Sequence, residues 1–203
     1  MPTAVVTGIP AAGSQVGCAP MALRRPGSAR VPPRDDAIAT AREAMKGMPH
    51  NAVNVRATMA HHPEIARGFG GFARAVLNEF NTPRRQRELV ILRMGWNCQA
   101  RYEFGQHTLF GLAYGVTDDE VSAVTRPLSE HAWSDEDRVL LQMTDDLYTD
   151  DCVSDSTWDE LTTRWSTPEI MEFIMTALCY RVVSGFLNSC GVELDDGVPG
   201  WPA

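Results

Sequence analysis

The chain has 203 residues, of which 44% are hydrophobic and 22% charged, and its formal net charge is −8. This composition is typical of a globular protein with a sizeable core, not of a disordered chain. The acidic balance argues against proteins that wrap nucleic acid or coat an anionic membrane, because both need a basic face. The five cysteines are scattered without a CxxC pair. That pattern is typical of a reducing compartment, so we expect a cytoplasmic protein without a disulfide framework.

The N-terminal segment differs in composition from the rest of the chain. Residues 1–33 are rich in Ala, Gly and Pro and contain no acidic residue, and their arginines follow the weakly apolar part. A secretory signal has the opposite order, with the basic part first. We predict a disordered tail over residues 1–33, with translation starting at Met1 or Met21, and a single domain over residues 34–203. The most apolar run, residues 170–187, is interrupted by Glu172 and Arg181, so we expect no membrane span.

From Asp35 onward the pattern is helical, and the alternation typical of strands is absent. Helix starts are marked by Ser or Thr followed by acidic residues or Pro, because these side chains cap the unpaired amides and suit the positive end of the helix dipole. Helix ends are marked by Gly115 and Gly191. The fold class is therefore predicted to be all-α, an antiparallel multi-helix bundle. The predicted helices are residues 35–47, 51–60, 63–80, 83–99, 101–114, 118–125, 135–149, 155–165 and 168–189.

Glu88 is the first candidate site residue. On the fourth predicted helix it shares a face with the apolar side chains of Ile91 and Leu92, which lie one turn further on. Its carboxylate is then expected to point toward the interior. The alternative is a surface salt bridge to Arg84 or Arg85, which stabilises a helix by only about 0.3–0.5 kcal/mol. The pattern by itself leaves both interpretations open.

Glu103 and His107 are four residues apart on the fifth predicted helix and therefore share a face. After His107 the polar side chains of this helix are limited to Thr108 and the hydroxyl of Tyr114, so the helix is expected to be buried on most sides. The two residues form either an acid/base pair tuned by burial or a structural pair inside a bundle. A third ionisable group from the preceding helix, Glu88, would favour function, because burying three such groups together is costly.

Several motifs follow one another in a recognisable order. They are Arg87-Glu88-Leu-Val-Ile-Leu-Arg93, Gln99-Ala100-Arg101-Tyr102-Glu103 with His107, Ala113-Tyr-Gly115-Val-Thr-Asp-Asp-Glu120, Trp133-Ser-Asp-Glu136, Val153-Ser-Asp-Ser-Thr-Trp158 and Val183-Ser-Gly-Phe-Leu-Asn188. Together they resemble the carboxymuconolactone decarboxylase / alkylhydroperoxidase D-like family, in a long form without the CxxC pair, over residues 50–203. The resemblance implies antiparallel helices of the alkylhydroperoxidase D-like type, assembled into trimers or hexamers with active sites near subunit contacts.

The family's peroxidase branch has a glutamate, a CxxC pair and a histidine. Glu88 and His107 match the first and last of these, but Ala100 and Glu103 occupy the two cysteine positions. Cys98 lies two positions early, about 200° around a helix from the position of Ala100, and we expect it to be a packing thiol. The decarboxylase branch has an acid four residues before the histidine, as Glu103 stands before His107.

We therefore expect a cofactor-independent lyase or isomerase, similar to the decarboxylases, that uses acid/base chemistry on a small oxygenated organic substrate. His107 would be the general base or acid, Glu103 its orienting partner or the partner acid, and Glu88 a second carboxyl that donates a hydrogen bond to a carbonyl or enolate oxygen. Arg101 either holds a substrate carboxylate or is a surface arginine. The substrate-binding pocket is expected between the two helices, lined by Trp96, Tyr102, Phe110 and Tyr114.

Other hypotheses remain at this point. Glu88, Glu103 and His107 could ligate a metal, but no fourth ligand or second histidine is evident, so we expect no metal and no cofactor. The chain could instead be a thiol-dependent alkylhydroperoxidase-like antioxidant enzyme that uses Cys98, or a non-catalytic ligand-binding oligomer. The expected partners are a small-molecule substrate and further copies of the chain, without nucleic acid or membrane.

Overall fold

The structure, a computed structural model, describes residues 25–48 and 52–202. Within these ranges it contains nine α-helices, one 3-10 turn at Leu128–Glu130 and no strand, which confirms the predicted all-α fold. The helix bounds agree with the predicted ones to within three residues, although the predicted start of the second helix at residue 51 lies outside the described residues. The helices are α1 Asp35–Ala44, α2 Val53–Met59, α3 Pro63–Asn78, α4 Arg84–Asn97, α5 Arg101–Ala113, α6 Asp118–Ala123, α7 Asp135–Asp150, α8 Asp155–Thr162 and α9 Thr167–Cys190.

Reciprocal capping explains why two of these helices begin where they do. At the start of α6, the backbone N–H of Glu120 donates to Thr117 Oγ1 at 3.2 Å, and the Glu120 carboxylate accepts from the Thr117 N–H at 2.9 Å. Ser166 and Glu169 form the same capping box at the start of α9. Each box satisfies amides that have no partner within the helix.

Helix α4 runs through the centre of the molecule and positions the candidate site. Residues 87–95 are buried without interruption, and the helix packs against α5, α7 and α9. Its apolar side chains contribute to two clusters, one shared with α7 and α9 and the other with α5, α6 and α7. Because every side of this segment is covered, any charged side chain on it must find its partners inside the protein.

Helix α9 extends one residue beyond its predicted range at each end and is strongly apolar. By length and composition alone its 24 residues could cross a membrane, although we expected no membrane span because charged residues interrupt the apolar run. The core helices of many soluble proteins pass the same test. Helix α9 packs against α3, α4, α7 and α8. Its uncovered side carries three exposed apolar residues, Met171 at 59%, Met175 at 41% and Val182 at 63% exposure.

Residues 25–33 pack against the body of the protein. The backbone N–H groups of Arg30 and Val31 donate to the carbonyl of Cys190 at 2.8 and 3.0 Å, and Arg25 Nη2 donates to the carbonyl of Cys98 at 2.7 Å. Residues 25–33 of the predicted tail thus form hydrogen bonds with the body of the protein, while residues 1–24 lie outside the described part. The physical reason is that the last carbonyls of α9 lack partners within the helix and accept these N–H groups.

The C-terminal segment after α9 folds back across α5. Tyr102 donates its hydroxyl to Asp195 Oδ2 at 2.6 Å, and the ring of Trp201 packs against Trp96 and Phe104 with centroid distances of 5.2 and 5.1 Å. Helix α5 is therefore enclosed between α4 on one side and this segment on another.

Candidate functional site

Glu88 is completely buried and has partners at both carboxylate oxygens. Oε2 lies 2.6 Å from Nδ1 of His107, and Oε1 accepts from Nε and Nη2 of Arg87 at 3.1 and 2.8 Å. The surface alternative is not observed, because Arg85 pairs with Asp137 instead, at 2.9 Å. The interior interpretation of Glu88 thus agrees with the structure.

His107 lies between two carboxylates. While Nδ1 faces Glu88, Nε2 lies 2.9 Å from Oε1 of Glu103 on the preceding turn of α5. The side chains of Glu88, His107 and Glu103 are 0%, 5% and 7% exposed. The structure therefore brings the three predicted catalytic residues into one continuous buried chain of contacts.

Two aromatic rings enclose the imidazole. Phe110 stacks on it at a centroid distance of 5.1 Å and an interplanar angle of 28°, and Tyr180 of α9 meets it edge-on at 4.7 Å and 80°. Sequence reasoning missed both Tyr180 and Arg87. Arg87 directly precedes Glu88 within the motif Arg87–Arg93, so the sequence itself indicates a cation close to this carboxylate. Nothing in the sequence pattern indicated that residue 180 meets residue 107.

The surroundings favour the protonated form of His107. Burial by itself would lower the pKa of the imidazole, but the negative charge of Glu88 and the close contacts with both carboxylates raise it from 6.5 to about 9. His107 is therefore an imidazolium at neutral pH. Burial, followed by the charges of Glu103 and Glu88, holds the pKa of the Tyr180 hydroxyl well above its usual value.

Only two of the four predicted pocket residues lie near this centre. Phe110 contacts His107, and Tyr114 stacks on Phe110 at 6.1 Å. Tyr102 and Trp96 lie elsewhere, Tyr102 against Asp195 and Trp96 against the C-terminal segment. Because Tyr102 precedes Glu103 by one position, it is turned about 100° around the helix, and Trp96 lies two turns beyond Glu88.

Neither of two cavities in the described part of the chain corresponds to the expected pocket between α4 and α5, which stays a prediction. The two cavities have volumes of about 270 and 230 Å³, and neither is lined by Glu88, Glu103 or His107. The larger lies between residues 25–28, the start of α5 and the end of α9.

The four cysteines that the structure describes do not form a reactive pair at this centre. Cys98 points its sulfur toward Met94 Sδ at 3.7 Å, and burial raises the pKa of its thiol despite the nearby Arg181. Cys179 is buried, and burial together with the charge of Glu103 raises its pKa to about 12. Both thiols are protonated at neutral pH and so are weak nucleophiles. In residues 25–48 and 52–202, no group of His, Cys, Asp or Glu is arranged to hold a metal ion.

Comparison with known proteins shows what part of this chain is similar to. The model of the carboxymuconolactone decarboxylase family matches residues 63–146, a segment that includes Glu88, Glu103 and His107. A comparison with curated protein sequences gives no match.

Three solved structures share the fold. A variant of the debrominase Bmp8 in complex with 2,3,4-tribromopyrrole superposes with a TM-score of 0.70 at 15% identity, covering 85% of this chain and 95% of that one. The alkylhydroperoxidase AhpD core of a peroxidase-related protein from Ralstonia eutropha JMP134 gives 0.69 at 15% identity, covering 80% and 86%. A peroxidase-related protein from Silicibacter sp. TM1040 gives 0.68 at 12% identity, covering 92% and 97%.

At these identities the structural matches establish the architecture, and the family match covers the helices that carry the buried acid–histidine centre. Residues 63–146 are therefore similar to the carboxymuconolactone decarboxylase family, and the chain has the alkylhydroperoxidase D-like fold.

Proposed function

We propose that this protein is an enzyme that transfers protons on a small oxygenated organic molecule, as a cofactor-independent lyase or isomerase. The observation that carries the proposal is the buried chain Glu88–His107–Glu103, with contacts of 2.6 and 2.9 Å. Removing several charged groups from water costs more than their pairing commonly returns, so stability alone is a weak reason for this arrangement. Buried groups with a strongly shifted pKa concentrate at functional sites.

The hydrogen bonds that Glu88, His107 and Glu103 already make support a different role for each side chain. Both oxygens of Glu88 and both nitrogens of His107 are engaged. Oε2 of Glu103 accepts no hydrogen bond from the described residues, so it is the acceptor in this chain that is left for a substrate. We therefore assign Glu103 as the group that meets the substrate and His107 as the proton store behind it. This differs from the sequence-based expectation, in which His107 acts directly.

Arg87 and Glu88 hold the proton store in place. Glu88 is the counter-ion of the His107 imidazolium, and Arg87 fixes Glu88 through its Nε and Nη2 while its Nη1 donates to the carbonyl of Leu77 at 2.8 Å. With two cations and two carboxylates, the group carries no net charge when His107 is protonated. A preorganised group of this kind can stabilise charge that develops on the substrate without rearranging.

The chemistry needs only proton movement. In an isomerisation, the Glu103 carboxylate removes a proton from a carbon next to a carbonyl and returns it to another carbon of the same molecule. In a decarboxylation, the bond to the carboxylate breaks and CO₂ leaves, His107 passes its proton to Glu103, Glu103 gives that proton to the carbanion, and water then protonates His107 again. Each general acid/base step contributes about 10²–10⁴-fold.

Access to this centre requires motion of its aromatic neighbours. Because neither described cavity reaches His107, a substrate must displace Phe110 or Tyr180, the two rings that contact the imidazole. Side-chain rearrangement on substrate binding is common at enclosed sites and excludes water during the reaction.

Exchange of carbon-bound hydrogen tests the proposal without knowledge of the natural substrate. The protein is incubated in D₂O with a panel of β-keto acids and enol lactones, and deuterium incorporation or CO₂ release is followed by NMR. We expect Glu103→Gln to lower the rate by about 10²–10⁴-fold, whereas Glu64→Gln, at an exposed acid paired with His62, leaves it unchanged. Equal activity of Glu103→Gln and the unaltered protein on an accepted compound would falsify the proposal, as would the absence of turnover across the panel.

The apolar face of α9 supports self-association. Met171, Met175 and Val182 lie on one side of the helix and are all at least 41% exposed, and contiguous apolar surface of this kind typically marks an interaction site. We propose that a second copy of the chain covers this face. Native mass spectrometry should show an oligomer that Met175→Asp dissociates, and a monomeric unaltered protein would exclude this arrangement.

A further inference from the structure

We propose that the larger cavity, bounded by residues 25–28, the start of α5 and the end of α9, binds a small organic carboxylate. This cavity, hereafter the Arg25/Arg101 cavity, has a volume of about 270 Å³. Glu88, Glu103 and His107 do not line it. The inference therefore goes beyond the proposed enzymatic function and describes a second site.

The charge of the lining favours an anion. Two basic residues, Arg25 and Arg101, line the cavity together with one acidic residue, Glu193. Oε1 of Glu193 accepts from the backbone N–H of Ala29 at 3.3 Å, so this oxygen is already engaged. In a chain of net charge −8, a cavity with an excess of positive charge is a local exception.

Neither arginine is neutralised by an acidic side chain of the residues that the structure describes, since none of these side chains forms an ion pair with Arg25 or Arg101. One donor of Arg25, on Nη2, is occupied by the carbonyl of Cys98, and a guanidinium has five. The remaining N–H groups match the geometry of a carboxylate, which accepts two parallel hydrogen bonds from one arginine.

Each guanidinium group lies against the protein backbone. The carbonyl of Cys98 anchors Arg25 and also accepts from Asn188 Nδ2 at 2.9 Å. The C-terminal backbone passes directly over Arg101, since a Cβ added at Gly200 would lie 2.7 Å from Nη2. Fixing the donors before the ligand arrives lowers the entropy lost on binding.

The rest of the lining selects an organic anion over an inorganic one. Leu187, Val192 and Leu194 contribute apolar side chains and Tyr102 an aromatic ring. Pockets that join a few fixed polar groups to an apolar wall are typical of sites for small organic molecules. The ligand class that fits is a carboxylate attached to a compact apolar body.

Titration of the full chain with benzoate, phenylacetate and octanoate, followed by NMR and calorimetry, tests the inference. We expect at least one of them to bind saturably, one per chain, and the neutral benzamide not to bind. Arg25→Gln and Arg101→Gln should each weaken binding at least tenfold. Arg74→Gln, at an exposed arginine paired with Glu79 at 3.5 Å, is the matched control and should not change it.

A further variant separates this site from the proposed catalytic centre. Glu103→Gln should leave carboxylate binding unchanged, whatever it does to turnover. Binding that Glu103→Gln abolishes and Arg101→Gln preserves would put the ligand at the catalytic centre and overturn the inference. So would the failure of all three carboxylates to bind, equal affinity for benzamide, or tighter binding of inorganic phosphate.

Discussion

The carbonyl oxygen of Pro199 lies against Gly105, so close that a Cβ at residue 105 would be 2.1 Å from it. The same Cβ would be 3.0 Å from Val198 Cγ1. The missing side chain at Gly105 is therefore what allows the C-terminal segment to cross α5.

Gly105→Ala should consequently lower the stability of the protein. The added Cβ would clash with the carbonyl oxygen of Pro199, a backbone atom that cannot rotate away as a side chain can. We expect a loss of at least about 1–3 kcal/mol, the usual cost of overpacking. Gly71→Ala is the control: nothing lies within 4 Å of its added Cβ, and Ala is favoured over Gly inside a helix by about 1 kcal/mol. The midpoint of urea unfolding should therefore fall for Gly105→Ala and rise for Gly71→Ala. A higher midpoint for Gly105→Ala would contradict the crossing of the C-terminal segment over α5.

Removing the cation that holds Glu88 should be strongly destabilising. Arg87→Gln leaves a completely buried carboxylate oxygen without its charged partner, and breaking a buried pair commonly costs about 3–5 kcal/mol. Arg138→Gln breaks a pair whose side chains are 40% and 44% exposed, where the loss is about 0–1 kcal/mol. Chemical denaturation gives the free energy of unfolding of each variant. Equal losses for Arg87→Gln and Arg138→Gln would show that the Arg87–Glu88 contact is not formed in solution.

Glu88 should control the protonation of His107. The charge of Glu88 is the largest influence that raises the pKa of the imidazole to about 9. Glu88→Gln is therefore expected to lower that pKa markedly, as followed by the ring resonances of His107 in an NMR titration. Asp119→Asn, next to the partly exposed His131 at 3.5 Å, should leave His107 unaffected. An unchanged midpoint in Glu88→Gln would refute the assigned counter-ion.

Stability should fall in alkaline solution because of the same group. The pKa of His107 is 6.5 in the unfolded chain and about 9 in the folded protein, so between these values the folded state binds more protons. The stabilisation is complete below pH 6.5 and is lost as the pH rises to about 9, up to a total of about 3 kcal/mol. The unfolding free energy of His107→Gln should show a shallower decline over this window, and parallel curves would argue against a charged His107.

The helical architecture and the candidate residues Glu88, Glu103 and His107 could be predicted from the sequence because they depend largely on local rules. Capping residues mark the helix starts, and the spacing of Glu103 and His107 fixes their common face on any helix. The partners that these side chains find in distant parts of the chain cannot be predicted by such rules, because they depend on which remote helices and segments pack together. Tyr180 reaches His107 across 73 positions of chain, and Asp195 draws Tyr102 away from the expected pocket.

Thiol reactivity distinguishes the proposed acid/base enzyme from a thiol peroxidase. Burial raises the pKa of Cys98, and that of Cys179 to about 12, whereas Cys152 is exposed. Iodoacetamide at pH 7 should therefore label Cys152 readily and Cys179 only after unfolding. Mild peroxide should leave Cys98 without a sulfenic acid in mass spectrometry, and reversible oxidation of Cys98 would instead favour thiol chemistry.

The contact between Arg30 and the carbonyl of Cys190 joins positions 160 residues apart. Closing so large a loop is entropically unfavourable and gives little return until both ends are already ordered. The docking of residues 25–33 is thus among the last events of folding and the earliest to reverse. During synthesis, the Arg25/Arg101 cavity cannot exist until the final helix has left the ribosome.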